Sequence, residues 1–150
     1  MGSGSGRCSV PRRASGAILS RLLLDTTFLV DADRAGDSLD EAISDDDDVA
    51  IAAITVPELR VGVLLSTGNS RSARQAFFDD VLENIPVLDY DQIVAKAHAE
   101  LLVHVRRRGT PRGAHDLIIA ATAKAVDRTI LSADSTAFDG LPGVHVRTHR

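Results

Sequence analysis

Leu22-Leu23-Leu24-Asp25-Thr26-Thr27-Phe28-Leu29-Val30 is the stretch that decides how this chain is read. Three consecutive leucines have no polar face, which suits a short strand covered on both sides. The run stops at an acid, Asp25, and Thr26-Thr27-Phe28-Leu29-Val30 then reads as a turn entering a helix. Packing gives no reason to close a buried strand with a carboxylate. The layout recurs downstream. Val49-Ala50-Ile51-Ala52-Ala53-Ile54 is a second buried-strand candidate, followed over residues 55–65 by helical spacing with Val56, Leu59, Gly62 and Val63 on one face. Residues 70–82 form a further helix and residues 85–88 a short third strand. Residues 91–108 form a long helix, with Ile93, Ala97, Leu101 and Val105 four apart and Gly109 as the stop. Residues 114–126 are the next helix, 128–133 a fourth strand and 144–146 a fifth. Between the first two strands, residues 37–43 read as a short helix. Asp45 to Asp48, a run of acids that repel one another, read as a solvated loop. Short apolar strands alternating with helices predict an α/β fold: a mostly parallel central sheet of four or five short strands flanked by helices.

The chain has 150 residues, the length of one domain. Residues 1–20, rich in Gly, Ser and Arg, read as a disordered tail, and residues 21–150 as the domain. With 44% hydrophobic and 25% charged residues, the composition is that of an ordinary soluble globular protein. Acids outnumber bases by 21 to 17, a formal charge of −4, which argues against gripping nucleic acid chiefly by counterion release. An enzyme that meets nucleic acid briefly stays open. Aromatic residues, at 3%, are too few for a base-stacking platform. The lone cysteine, Cys8, supplies neither a disulfide framework nor a zinc cluster, so a reducing, cytoplasmic setting is expected. No apolar run approaches the ~20 residues of a membrane helix. Arg21 breaks the run that could suggest a leader, and no small-residue cleavage site follows it.

Open parallel sheets bind ligands just beyond the carboxyl ends of their strands. Asp25 closes the first strand, Glu58 lies one helical turn past the second, Asp134 lies just past the fourth, and Asp116 opens the helix before it. Each has a plainer reading. Thr55-x-x-Glu58 is also a capping box, Asp116 suits any helix N-terminus, and Asp134 suits an Asx turn. Taken together, four carboxylates at one edge would oppose joint ionisation unless a hard cation such as Mg2+ or Mn2+ joined them. The chemistry that follows is phosphodiester hydrolysis by a metal-activated water. His98 and His104, six apart, do not share a helix face as paired ligands would, while His115 would lie near the cleft. No serine occupies a nucleophile-elbow sequence.

At these residues the chain resembles the PIN-domain ribonucleases, specifically the VapC toxins of bacterial toxin–antitoxin pairs. The matching segments are residues 22–30, then Ala53-Ile54-Thr55-Val56-Pro57-Glu58-Leu59-Arg60-Val61-Gly62, then His115-Asp116-Leu117-Ile118-Ile119-Ala120-Ala121-Thr122-Ala123. Leu131-Ser132-Ala133-Asp134 and the stretch to Val144 complete the set, in family order. The resemblance implies a PIN fold, Mg2+ or Mn2+ dependence and endonucleolytic cleavage of RNA. It also implies a cytoplasmic toxin that forms a homodimer or a hetero-oligomer with a cognate VapB-type antitoxin, whose C-terminal segment can enter the acidic cleft. Asp25, Glu58, Asp116 and Asp134 fall on the family's catalytic and metal-binding acids, with Asp25 and Asp116 matching best as direct ligands. Thr26 or Thr27 falls where the family places a supporting hydroxyl. One departure is Ala137, where many relatives carry an acid before the Phe at 138.

Arg106, Arg107, Arg108 and Arg112 are candidates for holding RNA phosphates, or else are cations favoured at a helix C-terminus. Residues 61–65 with Phe77 and Phe78 read as core, or by resemblance as an antitoxin groove or dimer contact. Two rival functions remain: a non-catalytic PIN-like binding module, and an aspartyl-nucleophile phosphatase built on Asp31-Ala32-Asp33. That pair follows Val30 at helix spacing rather than at a strand end.

Overall fold

The leucine run forms the central strand, β1 (Arg21–Leu24), and all three leucines are fully buried. The computed structural model of the protein describes residues 20–37 and 39–148. The tail expected over residues 1–20 therefore lies, apart from Ser20, outside the described residues. The remaining strands are β2 (Asp48–Ala52), β3 (Val87–Leu88), β4 (Thr129–Ser132) and β5 (Val146–Thr148). They lie in the order β3-β2-β1-β4-β5, and every pairing is parallel. The helices are α1 (Thr26–Ala35), α2 (Leu39–Ala42), α3 (Thr55–Leu65), α4 (Gly68–Asn84), α5 (Gln92–Arg108) and α6 (Ala114–Val126), with a 3-10 turn at Ser135–Phe138.

Strand side chains alternate between faces, so the leucine triplet feeds two cores. Leu23 joins Ala50, Ala52 and Ile130 under α5 and α6. Leu22 and Leu24 join Ile51 and Leu131 under α1, α3 and α4. This two-sided burial is why β1 reads as unbroken leucine rather than as an alternating pattern. From β1 the chain builds outward to β2 and β3, then returns to place β4 on the other side of β1. The carboxyl end of β1 beside β4 is thus the switch point at which such sheets hold ligands.

Three expectations are corrected. Asp48 does not sit in the acidic loop; it opens β2 and pairs with Arg128 (Nη2 to Oδ1, 3.1 Å). Arg128 Nη1 also donates to the carbonyls of Leu22 (3.1 Å) and Asp48 (2.8 Å), clamping the edge of the sheet opposite the carboxyl ends. Ile93 is 64% exposed, and Val94 takes its place in the buried stripe with Ala97, Leu101 and Val105. Val94 lies eleven residues before Val105, close to three full turns, and so shares its face; Asp91 caps α5, its carboxylate accepting from the Val94 amide at 2.9 Å. The fifth strand runs over Val146–Thr148 rather than 144–146, because Val144 is still held in a turn, its N–H donating to the Leu141 carbonyl.

Candidate active site

Asp25 leaves β1 with its amide donating to the Leu131 carbonyl at 2.9 Å, so it continues the β1–β4 ladder one residue further. Its side chain is only 2% exposed. The register that pairs Leu24 with Leu131 sets Ser132 beside it. The Ser132 hydroxyl donates to Asp25 Oδ2 at 2.8 Å and the Thr27 hydroxyl donates to the same oxygen at 2.7 Å. Ser132 Oγ in turn accepts from the Asp134 amide at 2.9 Å, and Thr27 Oγ1 from the Ala133 amide at 3.2 Å. Burial pushes the Asp25 carboxyl above its ordinary value. The hydroxyl and amide donors oppose that rise, and the charge of Glu58 adds to it.

Glu58 stands in the first turn of α3, and both its oxygens are engaged. Oε1 accepts from the Thr26 hydroxyl at 2.6 Å, and Oε2 lies 2.9 Å from His115 Nδ1. The capping-box alternative is not realised: Ile54 occupies the N-cap with no side-chain bond, and Thr55 is buried within 3.2 Å of Thr26 Oγ1. Asp116 lies in the first turn of α6. Burial raises its carboxyl, the charges of Asp25, Glu58 and Asp134 raise it further, and His115 opposes them. A Cβ on Gly113 would come within 3.0 Å of Asp116 Oδ2, so the glycine leaves room for this carboxylate. Asp134 does serve as a turn residue: it caps the 3-10 turn, with Oδ1 accepting from the Thr136 amide (3.1 Å) and hydroxyl (2.6 Å). Its charge nonetheless reaches Asp116.

Asp116 is therefore within electrostatic reach of the other three expected acids, and Asp25 of Glu58. Among the described residues, no three His, Cys, Asp or Glu side chains enclose a common point. Of the two expected supporting hydroxyls, Thr26 donates to Glu58 and Thr27 to Asp25. Ser132 went unrecognised in the sequence. Its signal was a hydroxyl closing the apolar run of β4, just as Asp25 follows that of β1. Arg106, Arg107 and Arg108 are exposed in the last turn of α5. Arg112 instead turns back onto the Asp139 carbonyl, to which its Nη2 donates. Asp31 and Asp33 lie on α1, and Asp33 faces Arg74 (3.9 Å). Of residues 61–65 only Val63 is core; Val61, Leu64 and Leu65 are 51%, 51% and 81% exposed. A cavity of about 170 Å³ runs from Glu58 between α1, α3 and α4, with Phe77 and Phe78 in its wall.

A PIN domain model matches residues 22–143. The chain belongs to the PIN-domain family. This PIN domain is 35% identical over 129 residues to Ribonuclease VapC5 of Mycobacterium tuberculosis, covering 83% of this chain and 92% of that protein. It is 28% identical over 98 residues to the tRNA(fMet)-specific endonuclease VapC of Salmonella typhimurium, covering 65% of this chain and 73% of that one. Among solved structures, VapBC-5 of M. tuberculosis, a member of the VapBC family of toxin–antitoxin systems, superposes with a TM-score of 0.71 at 30% identity. That superposition covers 86% of this chain and 98% of the other. The matched region contains Asp25, Glu58, Asp116 and Asp134.

Proposed function

We propose that this PIN domain is a divalent-metal-dependent endoribonuclease and the toxin of a toxin–antitoxin pair. One observation carries the reading: Asp25, buried at the end of β1, and Asp116, half-buried in the first turn of α6, are both raised by burial, the charge of Glu58 adds to each, and the charge of Asp25 adds to Asp116. A protein gains nothing in stability from that arrangement, and a hard cation removes the repulsion. The donors present are carboxylate and hydroxyl oxygens, which suit Mg2+ or Mn2+. Asp25 and Asp116 would hold the ion directly, with Glu58 and Asp134 beside it. Bound there, such an ion lowers the pKa of a coordinated water and polarises a phosphodiester. The Thr27 and Ser132 hydroxyls would fix the orientation of Asp25. The exposed Arg106, Arg107 and Arg108 are positive charge for the RNA backbone.

The relatives' names support the nuclease half of the reading, one being called a ribonuclease and another a tRNA(fMet)-specific endonuclease. A VapB-type antitoxin is the proposed partner, in a hetero-oligomer or beside a toxin homodimer, because a solved neighbour is a VapBC system. The cavity beside Glu58 and the exposed Val61, Leu64 and Leu65 are the surface offered to it. No described helix is long and apolar enough to cross a membrane, and the cytoplasm is the proposed setting. A binding module without catalysis would have no use for the strained acids, and the phosphatase reading finds no support in α1.

The test is incubation with structured RNA and Mg2+ or Mn2+, comparing wild type with Asp25→Asn and Asp116→Asn. Internal cleavage that needs metal and is lost in both variants is the expected result. Metal-dependent cleavage unchanged by both would overturn the site, and phosphate release from small monoesters would overturn the reaction class.

A further inference from the structure

We propose that His115 is a positioning residue: its ring, with the Thr26 hydroxyl, locks Glu58 beside Asp116 and thereby sets how tightly the carboxylates take a divalent cation. This rests on the metal-dependent reading above. The two oxygens of Glu58 are held from two different helices, Oε1 by Thr26 of α1 and Oε2 by His115 of α6. Because His115 directly precedes Asp116, the same bond ties the first turn of α6 to the first turn of α3. The tie is needed because Glu58 and Asp116 repel, the charge of Glu58 being one cause of the raised Asp116 carboxyl. Glutamate has three rotatable bonds, and holding it in one rotamer costs side-chain freedom. Released from the clamp, Glu58 would turn away from Asp116 toward water.

Core packing does not account for His115, whose side chain is 55% exposed. Neither does helix capping, since the N-cap of α6 is Gly113 and makes no side-chain bond. What remains is a hydrogen bond to an acid of the cluster, the kind of outer contact that orients ligands and whose loss commonly weakens metal binding 10–100-fold.

The geometry dictates which replacements work. Asparagine places its amide nitrogen where the imidazole carries Nδ1, whereas glutamine carries its amide out to the position of Nε2. The experiment measures Mn2+ affinity of the RNA-free, full-length protein by the electron paramagnetic resonance signal of free Mn2+. It compares wild type with His115→Ala, His115→Asn and His115→Gln. His115→Ala and His115→Gln are expected to bind about tenfold more weakly, and His115→Asn to recover to within about threefold of wild type. Cleavage of RNA at limiting Mn2+ should follow the same order, and saturating Mn2+ should restore the rate of His115→Ala. Melting of the metal-free proteins should agree within roughly 2 °C, as for other exposed substitutions. Wild-type affinity in His115→Ala, or equal affinities for the Asn and Gln variants, would overturn the positioning role while leaving the metal-dependent ribonuclease intact. A wild type that neither binds Mn2+ nor cleaves RNA would overturn that parent reading, and this one with it.

Discussion

Replacing Ser132 by alanine tests whether the hydroxyls under Asp25 are electrostatic parts of the site or only packing. Ser132 is fully buried, donates to Asp25 Oδ2 at 2.8 Å and accepts from the Asp134 amide at 2.9 Å. A hydrogen bond to an ionised group contributes roughly 1.5–3 kcal/mol, whereas one to a neutral group contributes about 1 kcal/mol. The stranded Asp134 amide adds less, because Asp134 is exposed and water can reach it. Metal-free Ser132→Ala should therefore be less stable by about 2 kcal/mol near neutral pH, a fall in Tm of roughly 8 °C for a domain of this size. The cost should also depend on pH. A carboxyl whose folded pKa is raised, as that of Asp25 is, gives its full share of stability only below its unfolded value of 3.8. That share is lost as pH climbs through the raised folded value. Removing a donor that holds the carboxyl down raises it further, so the variant loses more than wild type as pH rises. Denaturant unfolding in EDTA between about pH 5 and about pH 8 should show the difference between the two proteins widening with pH. A difference that stays constant across that range would show that the hydroxyl only packs.

Asp116→Asn should stabilise the metal-free protein at neutral pH by on the order of 1 kcal/mol, since it removes the charge that Asp25, Glu58 and Asp134 repel. The same variant should gain nothing from added Mn2+; melting with and without metal decides it, and a metal-free variant less stable than wild type would contradict the like-charge account. Gly113→Ala should displace the Asp116 carboxylate, which the new Cβ would approach to 3.0 Å. Cleavage should fall about tenfold or more with Tm nearly unchanged, and wild-type kinetics would refute the need for that space. Neutralising Arg106, Arg107 and Arg108 together should weaken RNA binding and lower its salt slope by about 2, at roughly 0.7 per phosphate contact on a single strand. Mn2+ affinity should be spared, and an unchanged salt slope would remove these arginines from the RNA path.

The strands and acids were legible because their causes are local. A strand covered on both faces must be apolar at every position, so Leu22-Leu23-Leu24 could be recognised without any partner in view. Polar residues that close such runs are hard to justify by packing, which singled out Asp25. The errors have equally physical sources. Asp48 was counted with its acidic neighbours because charge runs usually stay solvated, and its partner Arg128 lies 80 residues away in the chain. Ile93 was put on the buried face of α5 by counting in fours. At 3.6 residues per turn a four-residue spacing drifts by about 40° each step, so over three steps Ile93 leaves the stripe and Val94, eleven residues before Val105, comes back onto it.

Segment type, the acids themselves and the likeness to the PIN family are therefore properties of the sequence alone, because hydrophobic periodicity and residue chemistry are written along the chain. The tertiary structure decided which groups those acids meet. It gave Thr27 and Ser132 to Asp25, gave Thr26 and His115 to Glu58, and brought Asp134 within reach of Asp116 while its side chain still capped a turn. Those partners stand up to 107 residues apart, as Ser132 does from Asp25. They meet only because strand register and the reversal of strand order beside β1 bring their elements to one edge of the sheet.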